Sequence, residues 1–191
     1  MSAVLDVSKP TPLRLFGFLF TAVGGLVIAW GAISDWATVV FQGESFENSA
    51  TPGVDVLEGK VALGLGVGML VALVSMRLAR SHGGRRALAL AILLAAGLAL
   101  AIGVVDVVRA DQRFGGYAVN RIAEGISEAS GVPFDQARRD VEAEIARQGS
   151  IDLGLGLWMV IAGGALGLVG GALDLAWVGQ QRPKTIADRE L

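Results

Sequence analysis

Four long apolar stretches divide this chain, at Leu13 to Ile33, Val56 to Met76, Ala87 to Val108 and Leu153 to Ala176. Each reaches the roughly 20 residues a helix needs to cross a hydrocarbon core. None alternates with period two, and backbone in lipid must satisfy its own hydrogen bonds, so each stretch predicts a membrane helix rather than barrel strands. At the second, Asp55 and Glu58 have the spacing of a capping box. The expected fold class is all-α, a four-helix transmembrane bundle with an extracytoplasmic amphipathic helical hairpin between helices three and four.

Between the apolar stretches the polar pattern assigns the remaining segments. Residues 1–12 form an N-terminal segment. Residues 13–108 hold three helices with a short outer loop at 34–55 and a basic loop at 77–86. Residues 109–150 form the hairpin, 151–178 the fourth helix and 179–191 a tail. In the outer loop, the β-branched and aromatic residues of WATVVFQGESF predict a short strand or hairpin. In the long outer segment, Val119, Ile122, Ala123 and Ile126 keep helical spacing. Phe134, Ala137, Val141 and Ile145 do so again after Gly131 and Pro133, and Gly149 ends the pattern. Ile122, Ile126, Phe134, Val141 and Ile145 are therefore the expected apolar face of the hairpin. It serves either to close the hairpin on itself or to dock an envelope partner or the lipid interface.

Charge gives direction. The link between helices two and three carries Arg77, Arg80, Arg85 and Arg86 without an acid, whereas the first link carries Asp35, Glu44, Glu47 and Asp55 without a base. Positive residues stay in the cytoplasm, so this basic link, the N-terminal side with Lys9 and Arg14 and the tail with Arg182, Lys184 and Arg189 are expected there. Trp30, Trp36 and Trp158 then fall at the outer interface, and Phe16, Phe18 and Trp177 at the inner one. A cleaved signal peptide is the alternative for the first stretch, with Ala32 and Ser34 as its cleavage site. Its apolar run is longer than the usual core of roughly 7–15 residues, which favours an uncleaved helix.

Small residues recur every fourth position: Gly17, Thr21, Gly25 and Ala29; Gly64, Gly68 and Ala72; Ala91, Ala95, Ala99 and Gly103; Gly163, Gly167 and Gly171. In lipid such stripes let helix backbones approach, so they are the expected packing faces of the bundle, with a homo-oligomer contact as the lesser use.

Composition removes much chemistry. Hydrophobic residues make up 53% of the chain and charged residues 18%, below the soluble norm of about 25%, and mean hydropathy is +0.58. The 16 basic and 18 acidic residues nearly cancel without a basic block, so no nucleic-acid partner is expected. There is no cysteine and His82 is the sole histidine, which removes disulfides, thiolate or histidine-rich metal sites and cysteine nucleophiles. The GLGVG run at 64–68 sits mid-helix with no Lys-Ser or Lys-Thr after it, so it is no phosphate loop. No catalytic, cofactor-binding or metal-binding constellation assembles.

Three charges near the helix ends are the candidate functional or ion-pair residues. Asp106 and Asp174 lie inside the third and fourth stretches, where a carboxylate needs water or a partner. Arg109 is near Asp106 in sequence, headgroups or the basic tail are near Asp174, and Lys60 is expected to pair with Asp106 across the outer ends of helices two and three.

A first helix running to Trp36, then Pro52, Gly53 and Asp55, then Gly59 and Lys60 opening the second helix, resembles the first half of small multi-pass membrane proteins of unknown function common in actinobacteria. The resemblance covers Leu13 to Arg80 and implies a cytoplasmic-membrane location without an activity. The first loop lacks the two cysteines of claudin-type proteins. The function expected is that of a non-enzymatic accessory or scaffold protein of the cell envelope, set in the lipid bilayer and contacting an envelope partner or a second copy through its outer segment. A small transporter or channel component, or a lipid-binding or sensing protein, is the alternative.

Overall fold

The computed structural model describes residues 12–41, 44–45 and 50–180. The N-terminal segment with Lys9, the tail with Arg182, Lys184 and Arg189, and Gly43 and Glu47 of the outer loop lie outside the described residues. Four helices are long and apolar enough to cross a membrane: α1 (Pro12–Ile33), α2 (Leu57–Leu78), α3 (His82–Val108) and α6 (Leu155–Gln180). This is the architecture of a multi-pass membrane protein. Their outward faces carry Leu94, Val71, Leu26 and Leu98, all more than half exposed, a distribution that water would oppose and hydrocarbon accepts.

Local chemistry sets the helix ends. Pro12 opens α1, where a missing N–H costs nothing. The turn between α2 and α3 shortens to residues 79–81, because Ser81 caps α3 by accepting a hydrogen bond from the Gly84 N–H at 3.1 Å. Arg85 and Arg86 therefore belong to the first two turns of α3 rather than to a loop. Asp55 does not cap α2. It lies in a single 3-10 turn, Gly53–Asp55, and Val56 is the cap residue without a side-chain bond.

Helices α1, α2, α3 and α6 form a ring in that order, and α1 and α6 share the most extensive interface. Its seam is made of glycine. A Cβ on Gly24 would stand 2.7 Å from the Gly167 nitrogen, and one on Gly163 would stand 2.8 Å from the Gly24 carbonyl oxygen. The two backbones touch, gaining dispersion contacts that apolar burial cannot supply between helices in lipid. Gly167 also faces Ala96, and Gly171 faces Leu93 of α3, so α6 contacts both neighbours through small residues. In α2 the expected stripe is displaced. Gly64 and Gly68 face outward with nothing near them, and the packed face is Gly59, Ala62, Gly66, Met69, Leu73 and Met76. Gly66 meets the Gly25 carbonyl oxygen of α1 at 2.9 Å from its would-be Cβ.

At one end, called the head here, α3 passes through Arg109 into α4 (Ala110–Ser130). Gly131, at φ 72°, turns the chain into α5 (Phe134–Gln148). The two helices predicted for the long segment are thus present. They do not close on each other alone, because a small sheet joins them. β1 (Asp35–Phe41) continues from α1, and β4 (Gly149–Leu153) leads into α6. These strands are antiparallel, with Ala37 opposite Leu153 and Phe41 opposite Gly149. β2 (Glu44–Ser45) and β3 (Thr51–Pro52) pair with the other edge of β1. The predicted strand in the first loop is β1, and β4 has no counterpart in the sequence reading.

Two apolar cores result. Trp36, Ala37, Ala110 and Phe114 extend the bundle core into the head. Val39 of β1 joins Ala118, Val119, Ile122, Val141 and Ile145 in a second cluster. Of the expected hairpin face, Ile122 and Val141 are buried and Ile145 and Phe134 half-buried, whereas Ile126 is exposed. Trp36 is not an interfacial anchor. It is wholly buried, and its Nε1–H donates to the Gly31 carbonyl oxygen at 2.9 Å. Trp30 and Trp158 face outward near the head.

Candidate functional site

Opposite the head lies the basic end, formed by the start of α1, the α2–α3 turn and the end of α6. Asp174 of α6 is wholly buried here, where it accepts a hydrogen bond from the Thr21 hydroxyl of α1 at 3.2 Å. Arg77 of α2 brings Nη2 to 3.5 Å from Asp174 Oδ1 and also donates from Nη2 to the Arg14 carbonyl oxygen at 3.3 Å. Three helices are therefore tied at one carboxylate. Gly17 makes room for it, since a Cβ there would stand 2.7 Å from Asp174 Oδ1. Where headgroups or the basic tail were expected, the partners of Asp174 among the described residues are an arginine and a threonine inside the bundle.

Around this pair is an aromatic and cationic cluster. The guanidinium carbons of Arg14, Arg77 and Arg85 lie 5.3, 5.3 and 5.9 Å from the centre of the Trp177 ring. Arg77 also lies 5.1 Å from the Phe18 ring centre. Cation–π attraction of this kind strengthens as the site loses water. Trp177 is buried, so it is a platform for arginines rather than a lipid-facing anchor. Arg85 donates from Nε to the Ala79 carbonyl oxygen at 2.9 Å, which fixes its stem across the turn. The cluster was not legible in the sequence, though arginines flanking Trp177 on three helices of known direction were the available signal.

At the head end Asp106 of α3 is 1% exposed and lines a cavity of about 170 Å³ with Val56, Glu58 and Phe114. The expected Lys60 partner is elsewhere: Lys60 is exposed. Two residues on a helix turn about 200° round the axis, so Glu58 takes the inward place and Lys60 is sent outward. Arg109 is exposed at the helix end. Asp106 and Asp174 are at opposite ends, as expected from antiparallel helices. Gly103 packs against Ile161, which sets the aspartates on the order of 20 Å apart along α6.

A second opening, of about 320 Å³, lies between α4 and the entry to α2, lined by Asp55, Tyr117, Asn120, Arg121 and Glu124. Arg121 Nη1 donates to the Ala50 carbonyl oxygen at 3.0 Å and reaches Asp55 Oδ2 at 3.3 Å. The Tyr117 hydroxyl donates to the Asp55 carbonyl oxygen at 3.4 Å. These bonds fasten α4 to the chain entering α2. Among the described residues no group of three or more metal-ligating side chains gathers. No protein-family model, curated protein or solved structure matches the chain.

Proposed function

We propose that this protein is a non-enzymatic integral component of a bacterial cytoplasmic membrane, an accessory or scaffold protein whose head contacts other envelope proteins. In this reading the termini and the turn at 79–81 are cytoplasmic and the head is outside. The arginines of the basic end support that orientation by the positive-inside bias. The resemblance of Leu13 to Arg80 to small actinobacterial membrane proteins is in keeping with it.

One observation carries the reading. The head is built onto the bundle through the β1–β4 ladder and the Arg121–Asp55 contacts, over an α1–α6 seam too tight for a methyl group at Gly24 or Gly163. A rigid platform on a closed seam suits display better than passage. Photo-crosslinking in membranes tests it, with the reactive residue at Ile126 on the head or at Leu94 on the outward face of α3. A discrete protein adduct from Ile126 and only lipid adducts from Leu94 are expected. Identical lipid-only products from both sites, and from Glu128, discard the proposal. Orientation is read with single cysteines: Glu128→Cys should react with an impermeant maleimide in intact cells, and Arg80→Cys only after permeabilisation.

A second reading, ion or proton movement, draws on the cavity holding Glu58 and Asp106. It requires a path beyond Asp106, so proton flux into proteoliposomes should fall in Asp106→Asn if it operates. Flux equal to that of empty liposomes dismisses it.

A further inference from the structure

We infer that the cavity between α4 and the entry to α2 binds a small zwitterionic solute, of the class of a free α-amino acid. Tyr117, Asn120, Arg121 and Glu124 follow helical spacing and so share one face of α4, with Asp55 completing the lining. Arg121 and Glu124 are one turn apart, about 5–6 Å between Cβ atoms, a spacing at which opposite charges pair. Here they do not. Arg121 turns instead to Asp55 Oδ2 and the Ala50 carbonyl oxygen, and Glu124 is left on the cavity wall with no hydrogen bond or ion pair among the described residues. The Asn120 amide is likewise unengaged among them. Both Arg121 bonds use Nη1, so the Nη2 edge of the fork stays open, on a side chain that is 44% exposed.

The row of charges reads carboxylate, guanidinium, gap, carboxylate. A lone cation in the gap satisfies Glu124 and leaves the guanidinium edge idle, while a lone anion on Arg121 meets the repulsion of both carboxylates. A molecule carrying both charges completes the alternation. Its carboxylate takes the planar fork, and its ammonium donates to Glu124 and to the Asn120 side-chain oxygen. Size and lining agree with this. At about 320 Å³ the cavity is at the small end of ligand pockets, roughly 300–1,000 Å³, and its walls are polar side chains where a hydrophobic ligand needs apolar ones. Asp55 already holds Arg121 in place, so less side-chain ordering opposes binding. The site does not depend on the head having a protein partner.

The test uses the full chain in a neutral detergent, with native mass spectrometry reading the mass added from an equimolar mixture of the protein amino acids. Calorimetric titration with the retained amino acid then gives its affinity. Wild type should take up one amino acid per chain, and neither methylammonium nor acetate alone should compete for it. Glu124→Gln removes an exposed, unpaired charge, so it should leave the melting temperature unchanged and weaken binding about ten-fold or more, the effect of losing a charge-assisted hydrogen bond. Arg121→Lys, which keeps the charge and loses the fork, should weaken binding too. Glu128→Gln, about one turn further along α4 and not part of the cavity lining, should bind as wild type. The proposal is overturned by no uptake in wild type, by unchanged affinity in Glu124→Gln or Arg121→Lys, or by equal loss in Glu124→Gln and Glu128→Gln. Competition by methylammonium or acetate as strong as that of the amino acid also overturns it. So does retention of short-chain phosphatidylethanolamine in place of any amino acid, which makes the ligand a lipid headgroup.

Discussion

Arg77 Nη2 stands 3.5 Å from Asp174 Oδ1, joining the last turn of α2 to the last turns of α6 inside the bundle. Removing one member of a buried pair leaves the other charge stranded, which typically costs about 3–5 kcal/mol, whereas removing both is far milder. Asp174→Leu alone should therefore lower the midpoint of unfolding in detergent strongly, by about 3 kcal/mol given that Arg77 retains some exposure. Arg77→Met combined with Asp174→Leu should recover much of that loss, as followed by circular dichroism. Absence of any recovery shows that Asp174 matters through Thr21 and not through Arg77.

Glycine position can be separated from glycine content. Gly163→Val drives a side chain into the Gly24 carbonyl and Ile28, and should destabilise by about 1–3 kcal/mol or prevent α1 and α6 from meeting. Gly64→Val and Gly68→Val meet open space and should stay within about 0.5 kcal/mol of wild type. Thermal melts of the three variants in one detergent decide it.

Trp36 ties the end of α1 to the head. Trp36→Phe keeps most of the ring but loses the Nε1–H bond to the Gly31 carbonyl, and should cost about 1–3 kcal/mol. Trp36→Ala should cost about 3–5 kcal/mol through the cavity it leaves. Urea or dodecyl-sulfate titration gives both figures.

Because the chain has no cysteine, strand register is open to direct test. Thr38 and Asp152 are opposite partners in the β1–β4 ladder. Paired strand residues lie within the Cα separation a disulfide spans. Thr38→Cys with Asp152→Cys should cross-link under mild oxidation, giving a faster band on a non-reducing gel. Thr38→Cys with Ile151→Cys, which point to opposite faces, should not.

The four membrane helices were legible because run length alone identifies them. Which face of each helix turns inward was less so. In α2, the GLGVG run offers glycine at 64, 66 and 68, and a stripe through 64 and 68 reads as well as one through 66. Only the neighbours, Gly25 and Ala29 of α1, select Gly66. The same limit hid the Arg77 partner. Sequence spacing offers Asp174 a basic tail, whereas its contacts cross to Arg77 and Thr21 on helices distant in the chain. β4 escaped notice because its alternation covers only Ser150 to Leu153 and Leu153 also reads as the start of the fourth apolar stretch; its strand character comes from pairing with β1. Trp36 was misplaced because a tryptophan at a helix end has the same appearance whether it anchors at an interface or folds under a cap.

The pairing of β1 with β4 also bears on how the molecule is made. β1 leaves α1 and β4 enters α6, so the clasp at the head and the glycine seam below it bring together segments that emerge far apart during synthesis. Until α6 is inserted, α1 holds an uncovered groove and Arg77 has no counter-charge. A chain stopped before residue 155 is therefore an open horseshoe with a stranded cation, the kind of product that a membrane protease can distinguish from a finished ring.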